Sequence, residues 1–287
     1  EHSKPCEACS ILSKRQESNR ENKLIRSIWE NVQSEIGPDG KKRIRHSYVH
    51  RHDISETFPP WKSNVKEAKA HAKNVLHTAR HEGSLDILEG QVEKMVKKGA
   101  FVQLSGEEIL ELAETPHLFT QYNWVFSPGN TSTPFRMITN TSTINRGTTV
   151  SVEQMTPSKV LNPMTNSLVR FSLYEVPLCG NIAGAYHCIL VDHQTSLLRL
   201  FMWFQDLKTL ERGRVFKQQT QAFGDTSASW GLECGILKFM VVATLLLVTK
   251  FCLEFVRYSD NIMYSFKTVE EFKEVKEDME RAFQEYS

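Results

Sequence analysis

The chain has 287 residues and a nearly balanced charge, with 35 Lys and Arg against 34 Asp and Glu and a formal net charge of +1. This balance excludes a protein that coats nucleic acid through its overall charge, so any polyanion site must be local. Hydrophobic residues make up 40% of the chain, which is enough for a sizeable core and excludes a disordered chain.

The six cysteines are too sparse for the disulfide framework of a small secreted domain, and only Cys6 and Cys9 lie close together. No signal-peptide pattern opens the sequence, which begins with Glu and resembles a piece of a longer protein. The most apolar run, residues 236–248, contains Lys238 and falls short of a bilayer span. We therefore expect an intracellular protein, in the cytoplasm or nucleus, with no membrane partner.

The first third of the chain changes from polar to helical. Residues 1–60 predict an irregular leader, because Gly and Pro breakers interrupt them. Apolar residues at helical spacing predict two paired helices over residues 64–80 and 85–96. A short strand is expected over residues 100–104, and Ser105 starts a capping-box pattern ahead of another helix.

The middle of the chain alternates between strands and helices. Residues 117–144 predict two antiparallel strands, with a turn at Pro128–Asn130 between them. Helices are predicted over residues 157–169 and 229–248, and residues 198–204 are predicted to be extended. This mixture of elements indicates an α+β fold.

The last part of the chain predicts a hairpin and a helix. Residues 251–258 and 262–266 form the two apolar strands, and Thr268 with Glu271 caps a final helix. The hairpin tip, Tyr258-Ser259-Asp260-Asn261, resembles the Tyr-x-Asp-Asp hairpin of reverse transcriptases.

Other segments resemble the same family in the same order. In the family's first palm motif a metal-binding Asp precedes an aromatic residue by five positions, and Asn181 and Tyr186 have that spacing here. Residues 223–229, with Gly224, resemble the Phe-Gly loop that opens the helix beneath the template and incoming nucleotide. Residues 133–138 resemble the fingers strand whose Arg, here Arg136, holds nucleotide phosphates.

The resemblance covers about residues 117–287 and is most similar to the Bel/Pao class of long-terminal-repeat retrotransposons. It implies the fingers and palm of a right-hand polymerase, with an antiparallel palm sheet packed on helices and no thumb. We accordingly divide the chain into a polar leader with a Cys pair and a basic cluster (1–60), a fingers-like region (61–160) and a palm-like region (161–287).

The implied metal centre lacks two carboxylates. Nucleotidyl transfer uses two divalent ions, and hard ions such as Mg²⁺ require carboxylate ligands. Asn181 stands where the first Asp is expected and Asn261 replaces the second Asp of the hairpin, so only Asp260 remains as a metal ligand. If each loss costs about a hundredfold, the pair removes on the order of 10⁴ in rate. We expect weak Mg²⁺ binding and little or no polymerase activity.

Two implied nucleotide contacts have ordinary structural alternatives. Tyr186 would exclude nucleotides that carry a ribose 2′-hydroxyl. An aromatic residue beneath a β-hairpin also serves as core packing. Arg136 would grip a phosphate through two hydrogen bonds, or would be a solvated residue on an edge strand.

Two sets of residues have metal-like spacing. Cys6-x-x-Cys9 and His46-x-x-x-His50 each have the spacing of a zinc ligand pair, but the interval between the pairs is too long for a usual finger, so zinc is disfavoured. His77-x-x-x-His81 lacks the Glu of the metalloprotease motif and a third ligand, which favours a solvated helix face.

A basic cluster in the leader is a candidate nucleic-acid contact. It could bind a phosphate backbone or form an ordinary charged loop. Its members are Lys41, Lys42, Arg43 and Arg45.

Three hypotheses for function follow. The first is a reverse-transcriptase-like domain, from a retrotransposon polyprotein or a host-captured derivative, that is catalytically inactive and binds RNA, an RNA/DNA hybrid or another protein chain. The second is an active RNA-directed DNA polymerase in which Asp260 and a neighbour such as Asp225 or a backbone carbonyl rebuild a metal site. The third is a structural protein that uses the palm fold as a docking surface.

Overall fold

A computed structural model shows a mixed fold of helices and small, mostly antiparallel sheets, which confirms the α+β class. The structure describes residues 20, 22–36, 42–126, 135–145, 147–157, 168–169, 171–172, 174–182, 184–204, 213–222, 225–235, 254–258 and 261–284.

Residues 22–36 and 42–46 contribute to the core. Residues 22–30 form helix α1, and strands β1 (Val32–Ile36) and β2 (Lys42–His46) pair in antiparallel fashion. Strand β2 also pairs in parallel with β7 (Ile189–Val191), giving the sheet order β1-β2-β7. The prediction of an irregular leader is therefore wrong for residues 22–36 and 42–46. The strands are short and mostly polar, and only alternate side chains such as Ile44 face the core, so the composition concealed them.

A helical layer follows. Helix α2 (Ile54–Thr57) and a short 3₁₀ helix (Pro60–Lys62) lead into α3 (Val65–His81) and α4 (Leu85–Lys97). The two long helices confirm the sequence prediction. Their apolar faces meet the aromatic core described next, because their buried residues recur three, four and seven positions apart.

A second sheet carries this aromatic core. Strand β3 (Phe101–Gln103) pairs with β9 (Arg214–Gln218), which pairs with β8 (Leu200–Trp203), all antiparallel. Phe201 is fully buried, stacks on Phe216 with ring centroids 5.4 Å apart, and meets Phe101 edge-on at 4.9 Å. This cluster joins the sheet to α3 and α4.

The short connecting elements also fit the sequence prediction. The capping box of Ser105 and Glu108 is present and opens helix α5 (Gly106–Glu111). Strands β4 (Gln121–Phe126) and β5 (Phe135–Asn140) form the predicted antiparallel hairpin.

Two further short helices complete the middle of the chain, α6 (Val150–Glu153) and α7 (His193–Leu197). Most of the helix predicted over residues 157–169 lies outside the described residues.

A third sheet has the order β10-β11-β6. Its strands are β6 (Val176–Asn181), β10 (Glu254–Tyr258) and β11 (Asn261–Phe266), and both pairings are antiparallel. Thr268 accepts from the Glu271 N–H and Glu271 accepts from the Thr268 N–H, so the predicted cap of the last helix is confirmed. That helix is α9 (Val269–Gln284).

Helix α8 (Ala228–Gly235) is the described part of the long apolar helix predicted over residues 229–248. It packs against β1, β2, β7 and a 3₁₀ helix at Ala185–Cys188. Among the described residues, no helix is both long and apolar enough to cross a membrane.

Truncating the centre of the aromatic core should be costly. We expect Phe201→Ala to lower the free energy of unfolding by about 3–5 kcal/mol, because it removes buried area and leaves a cavity. Urea titration followed by tryptophan fluorescence measures this change. The control is Leu110→Ala on α5, where the side chain is 76% exposed, and its effect should stay within about 0.5 kcal/mol. Equal losses in the two variants would contradict the assignment of this core.

Candidate functional site

The third sheet brings together two asparagines that are far apart in the sequence. Asn181, the last residue of β6, and Asn261, the first residue of β11, are Cα partners in the antiparallel register. Asn261 also pairs with Tyr258, which ends β10. Ser259 and Asp260 connect those two strands and lie outside the described residues. The end of β6, the end of β10 and the start of β11 therefore meet at one end of the sheet.

The segment after Asn181 turns from this exposed strand end toward the core. Asn181 is exposed, whereas Ile182 and Tyr186 are partly buried. Tyr186 lies in the Ala185–Cys188 3₁₀ helix and packs on an apolar cluster that includes Ile189 of β7. The core-packing interpretation of Tyr186 thus has direct support, while its role as a nucleotide gate stays a prediction.

The chemistry at this strand end is that of amides. An amide carbonyl offers a hard cation a dipole but no net charge, so Asn181 and Asn261 make a weak environment for Mg²⁺. Within the described ranges, no group of three His, Cys, Asp or Glu is placed to hold a metal ion. Asp260, the one carboxylate of the predicted centre, is outside those ranges.

A buried ion pair lies next to the predicted Phe-Gly loop. Gly224 is outside the described residues, but Asp225 follows it directly. The carboxylate of Asp225 lies 2.6 Å from the guanidinium of Arg199, and both side chains are fully buried. The same carboxylate oxygen accepts hydrogen bonds from the Tyr48 hydroxyl at 3.2 Å and from the Ala222 N–H at 3.1 Å.

Burial and mutual attraction act in opposite directions on this pair. Burial raises the pKa of Asp225, and the charge of Arg199 opposes that rise. Burial works against the charge of Arg199, but Asp225 beside it raises the pKa of the guanidinium overall. The guanidinium also lies over the ring of Tyr48, 4.8 Å from its centroid. A buried arginine does not release its proton, so it holds a carboxylate as its counterion.

His46 belongs to the same polar cluster and is no surface ligand. Its ring is fully buried, stacks on Tyr48 at 4.4 Å, and its Nδ1 lies 2.8 Å from the side-chain nitrogen of Gln221. Burial, aided by Arg199, lowers the pKa of His46 to about 3. His50 lies against Thr195, so the two histidines of the candidate zinc set are part of the packing. Cys6 and Cys9 lie outside the described residues.

One member of the basic cluster, Arg45, makes structural contacts within the first sheet. Arg45 donates to both carboxylate oxygens of Glu35, at 2.7 and 2.8 Å, and to the Val191 carbonyl at 2.6 Å. The hydrogen bond from Arg45 is the main reason why the pKa of Glu35 is lowered. Arg45 therefore ties together β1, β2 and β7. Lys42 is exposed and Arg43 is half-buried on β2, and Lys41 is not among the described residues.

Arg136 occupies a different surface. It lies on β5, opposite Val125, and its side chain is exposed. This position is compatible with both the phosphate contact and the solvated strand residue. His77 and His81 are exposed on α3, as predicted for a solvated helix face.

Sequence reasoning missed the cluster around Arg199. The signal was present, because Arg199 stands inside the apolar run Leu197–Trp203, where a charge is stable only with a buried partner. The partners come from distant parts of the chain, Tyr48 and Asp225, and nothing in the local pattern identifies them.

Comparison with known proteins adds no family assignment: no family model and no curated protein matches the sequence.

Protonation of the unfolded chain should weaken the fold as the pH falls. His46 has a pKa of about 3 when folded and about 6.5 when unfolded. Its stabilising contribution is therefore complete above pH 6.5 and is lost as the pH falls toward 3. Between about pH 7 and pH 5 the loss is about 2 kcal/mol. Urea unfolding at both pH values should show a smaller pH dependence for His46→Gln than for the unchanged protein.

The control is the difference in pH dependence between the wild-type protein and His46→Gln. His187, with a pKa lowered to about 4, contributes equally to the free energy of unfolding of both proteins. The same pH dependence with and without His46 would contradict its burial as a neutral ring.

Proposed function

We propose that this chain is a reverse-transcriptase-like fingers and palm domain of the Bel/Pao type that binds nucleic acid without polymerising it. Its ligand is RNA or an RNA/DNA hybrid. In this proposal the two-metal centre has lost its first and third carboxylates, at Asn181 and Asn261, and the fold around them is kept.

One observation carries the proposal: the register that makes Asn181 and Asn261 Cα partners. The resemblance implied that the first palm motif and the hairpin tip would converge, although nothing in their local sequences requires them to be neighbours. The order β10-β11-β6 with antiparallel pairing is the arrangement in which they do meet. Two amides then stand where the implied chemistry needs two carboxylates.

The contacts of Asp225 argue against a rebuilt metal site. Its carboxylate is fully buried and already serves Arg199, Tyr48 and the Ala222 N–H. Transfer to a metal ion would leave the Arg199 charge buried without a counterion, which costs about 3–5 kcal/mol. These contacts weigh against the form of the active-polymerase alternative that relies on Asp225.

Restoring the two carboxylates should restore cation binding. We expect the double variant Asn181→Asp, Asn261→Asp to bind Mn²⁺ about tenfold or more tightly than the wild-type chain, because two charges are added on Cα partners. Titration of free Mn²⁺ by electron paramagnetic resonance measures this.

The matched control for that experiment adds the same charges elsewhere. Gln121→Glu with Asn140→Asp also places two carboxylates on Cα partners, here across the β4–β5 hairpin. An equal gain in the control, or none in the Asn181 and Asn261 variant, would count against a converged metal centre.

Nucleic-acid binding should be direct and dependent on salt. We expect a fluorescent RNA/DNA primer-template to bind the full chain at about 50 mM salt and to lose affinity steeply by about 200 mM. Arg136→Gln should lower the slope of log K against log salt by about 1, the value of one phosphate contact. Arg26→Gln is the control, since Arg26 is an exposed arginine paired with Glu30 on α1.

Primer extension completes this test. The proposal requires binding with no extension in Mg²⁺ or Mn²⁺. Extension that Asp260→Ala abolishes would establish the enzyme instead, and the absence of binding at low salt would favour the docking protein.

A further inference from the structure

The buried cluster of Tyr48, Arg199 and Asp225 joins three separate parts of the chain. Tyr48 follows β2, Arg199 stands between α7 and β8, and Asp225 precedes α8. A charged pair of this kind adds little net stability over a well-packed apolar pair, but it demands a particular geometry from its partners. The ion pair therefore contributes mainly by positioning the segments that carry its members.

Asp225 fixes the start of helix α8. Its N–H donates to the Ala222 carbonyl, its carboxylate accepts from the Ala222 N–H, and its own carbonyl accepts from the Ala228 N–H. Next to it, the Thr226 N–H donates to the side-chain oxygen of Gln154. The first turn of α8 is thus held from two sides.

The body of α8 has no room to shift toward β2. A Cβ atom added at Gly231 would lie 2.1 Å from Nδ1 of His46 and 2.2 Å from the side-chain nitrogen of Gln221. One at Gly235 would lie 3.2 Å from Ile44. Only glycine allows this close approach. Because α8 is packed tightly along its length, a displacement at its start would also move the residues farther along the helix.

The other neighbour of α8 is the segment that follows Asn181. Leu232 and Cys234 of α8 share an apolar cluster with Ala185, and Tyr186 packs against the same cluster. A shift of α8 would therefore be felt by the Ala185–Cys188 3₁₀ helix and by Ile182, which directly follows Asn181 and packs on the same cluster.

We propose that Asp225 is a positioning residue for the Asn181 end of the third sheet: its ion pair with Arg199 and its hydrogen bonds set α8, and α8 sets the segment from Asn181 to Tyr186. This inference rests on the proposed function only for its binding readout. Asp225 acts through α8 and is not in contact with the nucleic acid.

The test uses the full chain with Tyr186 replaced by trifluoromethyl-phenylalanine as a ¹⁹F NMR probe. Asp225→Asn keeps an oxygen acceptor for Tyr48 and Ala222 but removes the charge. We expect it to shift the ¹⁹F signal. In the chain with its natural Tyr186, the same change should weaken primer-template binding at least about tenfold. Glu89→Gln is the control, since Glu89 forms an ion pair with Arg214 elsewhere in the fold, and it should change neither readout.

A second variant separates positioning from stability. Arg199→Met with Asp225→Leu replaces the pair by apolar side chains and should restore stability. It lacks the acceptor that held Ala222 and Tyr48, so the altered ¹⁹F signal and weak binding should persist.

Wild-type signal and affinity in this folded double variant would overturn the proposal. If the unchanged chain binds no primer-template, the proposed function fails, and the ¹⁹F comparison with Glu89→Gln still decides the positioning role.

Discussion

The fold depends on how one buried charge is satisfied. Arg199 has no exposed surface. Its counterion Asp225 lies more than twenty positions later in the sequence, after strands β8 and β9. Because an unpaired charge in this interior is far more costly than a broken surface pair, the segments carrying Tyr48, Arg199 and Asp225 must assemble together. The apolar clusters around them supply most of the stabilising free energy, whereas the pair specifies which segments meet.

The sequence predicted local structure well where one principle dominated. The helical spacing of α3 and α4, the cap of Ser105 and the C-terminal hairpin are all decided by contacts within a few residues. The β1–β2 pair was missed because its strands are short and largely polar, and because its partner β7 lies far along the chain. Long-range parallel pairing leaves no local signature, so composition alone suggested a leader.

In the candidate site, too, local sequence did not reveal the contacts that depend on distant parts of the chain. The convergence of Asn181 with the hairpin could be expected only through resemblance, and the register agrees with it. The role of Arg45 was not evident from charge alone, since a basic run does not reveal that one of its members binds Glu35 and Val191 within a sheet. The contacts of Asp225 were equally hidden, although an arginine within an apolar run should have prompted a search for a carboxylate.

Position 181, where the proposed function expects a carboxylate, and the carboxylate of Asp225 differ in what an exchange to an amide costs the fold. Asn181 is exposed at a strand end, where exchanging a carboxylate for an amide of nearly the same shape removes a charge that needs a cation beside it. That exchange relieves repulsion between neighbouring carboxylates and leaves the packing unchanged. Asp225 is buried against a permanent positive charge, so the same exchange there leaves that charge without a counterion. Under the proposed function, the carboxylates at the exposed strand end can therefore be exchanged for amides while the buried pair of Arg199 and Asp225 keeps the surrounding geometry.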